Sequence, residues 1–174
     1  MKLICAVAAI CFLIAGCRPS FFQAALGSAS KLQKAEELSR QGRYDEAIEA
    51  YRAHMQTRLN YTGRPKWENP YFYLILIGDI QLGQNKVEEA FKSYQAAEQN
   101  GVDPYLISDR YRSIASWYEK QNQLAKAIDF LSRYRSRDPI LIDAMLDRLA
   151  KQLVKQEEAA ALNPTAAASP APAS

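Results

Sequence analysis

Apolar residues recur along this chain with a helical period. Near the C-terminus, Ile142, Met145, Leu146, Leu149 and Leu153 fall three or four apart, the spacing of one helix face, while Lys151, Gln152, Lys155, Gln156 and Glu157 take the wet side. The run Tyr71-Phe-Tyr-Leu-Ile-Leu-Ile77 is apolar throughout, and it continues into Gly78-Asp-Ile-Gln-Leu82. Bounded by Asn69-Pro70, it predicts a buried central helix rather than a strand. Helix starts are marked by Asn69-Pro70, Asp103-Pro104 and Asp138-Pro139. Each places a side chain that accepts from backbone N–H before a proline, whose missing N–H costs nothing at the first helical position.

Three stretches share one spacing: Gly42-Arg-Tyr44-Asp-Glu-Ala47-Ile-Glu-Ala-Tyr51, Asn85-Lys-Val87-Glu-Glu-Ala90-Phe-Lys-Ser-Tyr94 and Asn122-Gln-Leu124-Ala-Lys-Ala127-Ile-Asp-Phe-Leu131. Each opens on Gly or Asn, which tolerate left-handed backbone. An apolar residue, an alanine and a bulky residue follow at fixed steps. Twelve positions before each alanine stand Ala35, Gly78 and Ala115, all small; seven after stand His54, Ala97 and Tyr134. Small residues at matched heights let two helix axes approach closely, and a bulky neighbour fills the space beside them.

This pattern resembles the tetratricopeptide repeat, a helix-turn-helix unit of 34 residues. The alanines stand 43 and 37 residues apart, so the first junction carries about nine extra residues and the second about three. The resemblance spans roughly residues 28 to 139. It implies an all-α fold, a right-handed α-solenoid of about three helical hairpins, closed by the amphipathic C-terminal helix as a cap. It also implies a concave groove lined by the first helices of the repeats. The family's groove positions fall on Ala29, Leu32, Glu36 and Ser39, then Phe72, Ile75, Asp79 and Leu82, then Asp109, Arg112, Ser116 and Glu119. Phe72, Ile75 and Leu82 are the expected apolar contacts, with Asp79, Arg112 and Ser116 beside them; the alternative is that terminal segments bury them. The Lys/Asn/Arg clamp with which some family members hold a terminal carboxylate is missing, since the matching positions hold Leu32, Glu36, Leu76, Asp109 and Ser113.

The extra residues of the first junction lie within 57–70 and mix Arg58, Arg64 and Lys66 with Tyr61 and Trp67. Loops on a rigid scaffold often carry recognition, and Trp and Arg are frequent anchors. The competing reading is a solvated connection with Trp67 packed on the next helix. A second basic cluster, Ser132-Arg-Tyr-Arg-Ser-Arg137, reads as a wet helix end, where cations are favoured.

The N-terminus changes the setting. Met1-Lys2 is followed by an apolar run from Leu3 to Gly16, then Cys17. That run is shorter than the roughly 20 residues a transmembrane helix needs and has the layout of a secretory signal. Ile14-Ala15-Gly16-Cys17 resembles the lipobox of bacterial lipoproteins, which implies cleavage before Cys17 and acyl chains such as palmitate on that residue. The expected organisation is a signal peptide (1–16), a lipidated start and tether (17–27, at most roughly 40 Å when extended), a helical domain (28–162) and a disordered Ala/Pro/Ser tail (163–174) with nothing large to bury. Arg18 stands where an aspartate retains many lipoproteins on the inner membrane, which favours the outer membrane, with the inner membrane as the alternative.

Chemistry is excluded more readily than it is assigned. Cys5 and Cys11 leave with the signal, so no disulfide or thiolate cluster is expected, and with His54 the only histidine no metal site is expected either. His54 itself is expected to pack between helices. Removing Lys2 with the signal lowers the net charge of +3 by one, too little for a nucleic-acid partner. No phosphate-binding loop appears among seven glycines. No cofactor or small-molecule substrate is expected. The function expected is a non-catalytic scaffold or adaptor of the bacterial envelope, binding an envelope protein through the groove or the 57–70 loop and the membrane through Cys17. The resemblance permits assistance in assembling an outer-membrane complex. Rival readings are a periplasmic chaperone helper held at the inner membrane by an uncleaved N-terminal segment, an envelope enzyme with a carboxylate pair, and simple self-association.

Overall fold

The computed structural model describes residues 19–162, with side chains from residue 30 onward. The signal segment, Cys17 and the tail from residue 163 lie outside the described residues. The described elements are all helical: α1 (Pro19–Arg40), α2 (Tyr44–Leu59), a 3-10 turn (Pro70–Phe72), α3 (Tyr73–Gly83), α4 (Val87–Gln99), α5 (Pro104–Lys120), α6 (Leu124–Arg133), a second 3-10 turn (Arg135–Arg137) and α7 (Pro139–Leu162). The backbone is helical from Pro19, so most of the segment expected to act as a tether is continuous with α1. Its reach there is 1.5 Å per residue, less than half that of extended chain.

The chain divides at Gly63/Arg64 into two compact units. The first holds the α1/α2 hairpin. In the second, α3 packs on α4, α4 on α5, α5 on α6 and α6 on α7, so two hairpins and a terminal helix stack in sequence as in a helical solenoid.

Local sterics explain the hairpins. Gly42, Asn85 and Asn122 all have left-handed backbone, with φ of 74°, 63° and 58°. They are the three turn residues of the repeated pattern, and Gly and Asn adopt this conformation at least cost. Each follows the last turn of a helix and reverses the chain within a few residues. The paired small residues Ala35, Ala47, Ala90, Ala115 and Ala127 are fully buried, and Gly78 is buried with them. At Gly78 the fit is strict: a Cβ would stand 2.3 Å from Cε1 of Tyr94, whose ring fills the space. Tyr51, Tyr94 and Leu131, the bulky residues of the pattern, are all buried.

The helix starts also follow the sequence. Asn69 Oδ1 accepts from the Tyr71 N–H at 3.1 Å, Asp103 Oδ1 from Tyr105 N–H at 2.8 Å and Asp138 Oδ1 from Leu141 N–H at 3.3 Å. Around Ile75, Tyr94, Ile107, Tyr111 and Ile114 lies the main core of the second unit. Phe91, Phe130 and Tyr134 close it with edge-on and tilted ring contacts, the tightest being Tyr111–Tyr134 at 4.4 Å. Ile142 and Leu149 of α7 are fully buried with Leu124, Ala127 and Leu131, each contributing about 1.5–3 kcal/mol of burial. His54 is buried in α2.

Candidate functional site

Two of the concavities of the second unit bear on function, and they share no lining residue. The first is a trough of about 500 Å³ between α3 and α5, lined by Asp79, Leu82, Gly83, Arg110, Ser113, Ser116, Trp117 and Lys120. Its charged floor is closed internally. Asp79 accepts Tyr94 O–H at 2.8 Å and the Arg110 guanidinium twice, from Nε at 2.9 Å and from Nη2 at 3.0 Å. That carboxylate holds the Arg110 guanidinium above its ordinary value, against the opposing effect of burial. Burial first, then the charge of Asp79, push the Tyr94 phenol far up, so it stays a neutral donor. Trp117 Nε1–H donates to Asn85 Oδ1 at 2.9 Å, pinning one wall to the turn after α3. What remains for a ligand is a polar, hydroxyl-bearing surface with Lys120 at one end and the Leu82 and Trp117 side chains beside it.

The expected groove residues are therefore only partly brought together. Asp79, Leu82 and Ser116 line the trough. Ile75 does not, a correction to the expected contact set. It is fully buried among Ala90, Tyr94, Ile107 and Tyr111, on the side of α3 that faces α4 and α5. Phe72 sits in the other concavity. Arg112 does not line the trough either; its guanidinium pairs with Asp109 at 3.0 Å. On α5 the lining positions are 110, 113, 116, 117 and 120 rather than 109, 112, 116 and 119. A shift of one residue turns the face by about 100°. The 119 position points elsewhere, because Glu119 pairs with Arg148 of α7.

The second concavity, about 590 Å³, lies at the edge where α3 and α5 begin. Trp67, Glu68, Asn69, Phe72, Tyr73, Gly101, Val102, Asp103 and Leu106 line it. Trp67 is 84% exposed, so it does not pack down on the next helix. Tyr105, 80% exposed, stands beside Leu106 in the first turn of α5. The division between the units runs through the 57–70 loop and separates its expected contact residues. In the first unit, Arg58 stacks over the Tyr61 ring at 5.1 Å. In the second, Arg64 is half-buried and Lys66 exposed. The other basic cluster is neutralised by acids: Arg133 pairs with Asp129, Arg137 with Glu98 and Arg135 with Asp143 at 2.6 Å.

Sequence reasoning missed Arg110, Trp117, Tyr105 and Leu106. The signal for the last two was present: Ile107, Tyr111 and Ile114 define the buried face of α5, and Tyr105 and Leu106 fall off it. Among the described residues no cluster of metal-binding side chains occurs, and no helix is long and apolar enough to cross a membrane.

A family model for the tetratricopeptide repeat matches residues 32–65, the span of the α1/α2 hairpin and the start of the loop. Within residues 32–65 the chain is therefore similar to one tetratricopeptide repeat. The solved structure of the TPR2AB domain of yeast Sti1 in complex with pHSP90 has a similar fold, with a TM-score of 0.56 at 20% identity. That similarity covers 78% of this chain and 51% of that one, so the chain spans about half its length. No protein of curated function matches in sequence. The solenoid-like helical fold rests on the same features read along the chain, the small-residue pairs and the left-handed turns.

Proposed function

We propose that the protein is a non-catalytic docking scaffold of the bacterial envelope, held at a membrane by lipid on Cys17 and binding a partner protein in the trough between α3 and α5. The tetratricopeptide fold supports protein–protein interaction as the general role. The observation that carries the finer reading is the trough itself. Asp79, Arg110 and Tyr94 satisfy one another beneath it, while Leu82, Ser116, Trp117 and Lys120 face its opening. Such a preorganised floor lets a partner segment bind without first reordering the scaffold. Support for the envelope setting comes from the sequence Ile14-Ala15-Gly16-Cys17, and Arg18 favours the outer membrane.

Two experiments test the two halves separately. Labelled palmitate is incorporated by the wild type and not by Cys17→Ala, and globomycin blocks processing; recovery of the mature protein with Met1 intact overturns the anchor. Photo-cross-linkers placed at Ser116 and Leu82 in intact cells trap one common protein, and Lys120→Glu reduces the yield. Failure of every trough position to cross-link, with a folded protein, overturns the docking site.

A further inference from the structure

We infer that the edge cavity is a second docking site, for a peptide segment presenting a large apolar or aromatic side chain next to a lysine or arginine. It goes beyond the trough, with which it shares no lining residue, and stands whether or not the trough is occupied.

Trp67, Phe72, Tyr73 and Leu106 line this one mouth, and Tyr105 precedes Leu106 in the chain without lining it. Trp67 and Tyr105 are almost wholly in water, and Phe72 and Leu106 are 38% and 37% exposed. Single exposed apolar residues are ordinary, but several around one concavity mark an interaction surface. Trp and Tyr are also the side chains that most often anchor a partner.

Both walls are fixed before any partner arrives. Asn69 ties them together: its Oδ1 accepts from Tyr71 N–H and its Nδ2 donates to the Asn100 carbonyl at 2.9 Å. Pro70 and Pro104 stiffen the two helix starts, and Gly101 turns the second wall with φ of 74°. A site held this way loses little ordering entropy on binding.

The polar lining selects the charge of the guest. Glu68 and Asp103 line the cavity, with no basic residue among the lining set. No described residue forms an ion pair with Asp103. Lys66 is adjacent to Trp67 in the chain but does not line the cavity. An incoming ammonium or guanidinium group meets the Asp103 carboxylate and the Trp67 ring face, which attract it. The same carboxylate disfavours an anionic lipid surface.

The test is selection of a phage-displayed library of short random peptides on the full chain, with counter-selection on Trp67→Ser. Because Trp67 is exposed, this variant keeps its helix content, checked by circular dichroism; Leu106→Ser, at another lining residue, serves as an independent second variant. Enriched peptides pair an aromatic or large aliphatic residue with Lys or Arg, and either variant weakens them about tenfold. Asp103→Asn separates charge from structure, because Asn caps a helix as well as Asp. It weakens the basic peptides about threefold and leaves their Lys→Gln or Arg→Gln counterparts unchanged. Enrichment of acidic or uncharged peptides overturns the proposal, as does equal selection on Trp67→Ser. Two further results overturn it in favour of another occupant. One is binding to phosphatidylethanolamine/phosphatidylglycerol vesicles that needs Trp67; the other is concentration-dependent dimerisation that needs Trp67.

Discussion

In the trough between α3 and α5 the carboxylate and guanidinium of the floor bind each other, and Tyr94 ties them to the core. In the edge cavity the polar groups hold the backbone, and the large apolar groups stand in water. The two concavities belong to one helical unit, yet they are coupled to its stability in opposite degree. Tyr94 is at once the core residue that fills the space at Gly78 and the donor to Asp79, so disturbing the trough floor disturbs packing. Trp67 has little to lose from the fold. Sites of these two kinds respond differently to mutation, and that difference is measurable.

The largest effect is expected at the shared contact. Gly78→Ala puts a methyl within 2.3 Å of a buried ring whose hydroxyl is anchored on Asp79. Overpacking of this kind costs about 3 kcal/mol, measured as a fall in urea midpoint. A loss under about 1 kcal/mol would show that Tyr94 gives way and that trough and core are separable.

Next comes alkaline pH. Burial, with the nearby carboxylates Asp79 and Glu98, raises the phenols of Tyr94 and Tyr111. A raised folded-state value means the unfolded chain loses these protons first. Their contribution is fully present below the ordinary tyrosine value of about 10 and is lost as pH rises from there toward the folded-state values. Stability therefore declines above about pH 10, and Tyr94→Phe flattens that decline. An unchanged slope in Tyr94→Phe breaks the link drawn between core and trough.

A smaller effect is expected from the ion pair. Arg110→Met removes a bidentate partner of Asp79, but the Asp79 side chain is 37% exposed, and solvent screening limits the loss to about 1 kcal/mol. A double-mutant cycle with Asp79→Asn isolates the coupling. Least of all, Trp67→Ser changes stability by under about 0.5 kcal/mol in thermal melts. A marked destabilisation would mean that Trp67 supports the fold and would erase the contrast between the two concavities.

Much of the fold was legible in the sequence. Gly42, Asn85 and Asn122 stood where left-handed turns occur, Asn69, Asp103 and Asp138 where helices begin, and the small pairs where helices touch. The site was less legible. Ile75 occupies a groove position by repeat numbering but is buried, and the lining face of α5 is displaced by one position. Trp67 and Phe72, assigned separately to a loop and a groove, meet in one cavity, whose far wall comes from residues some 30 positions along.

Caps, turns and small-residue contacts are local, set by sterics over a few bonds or by a fixed step along one hairpin, so the order of residues was enough to specify them. The rotation of α5 and the side chains that share a cavity depend on how neighbouring helices pack. There the fit of Ile107, Tyr111 and Ile114 against α3 and α4, and of Glu119 toward Arg148, sets the angle. A turn of about 100° per residue makes a one-position error enough to move a side chain from the trough to its flank, and only packing between elements distant in sequence resolves it.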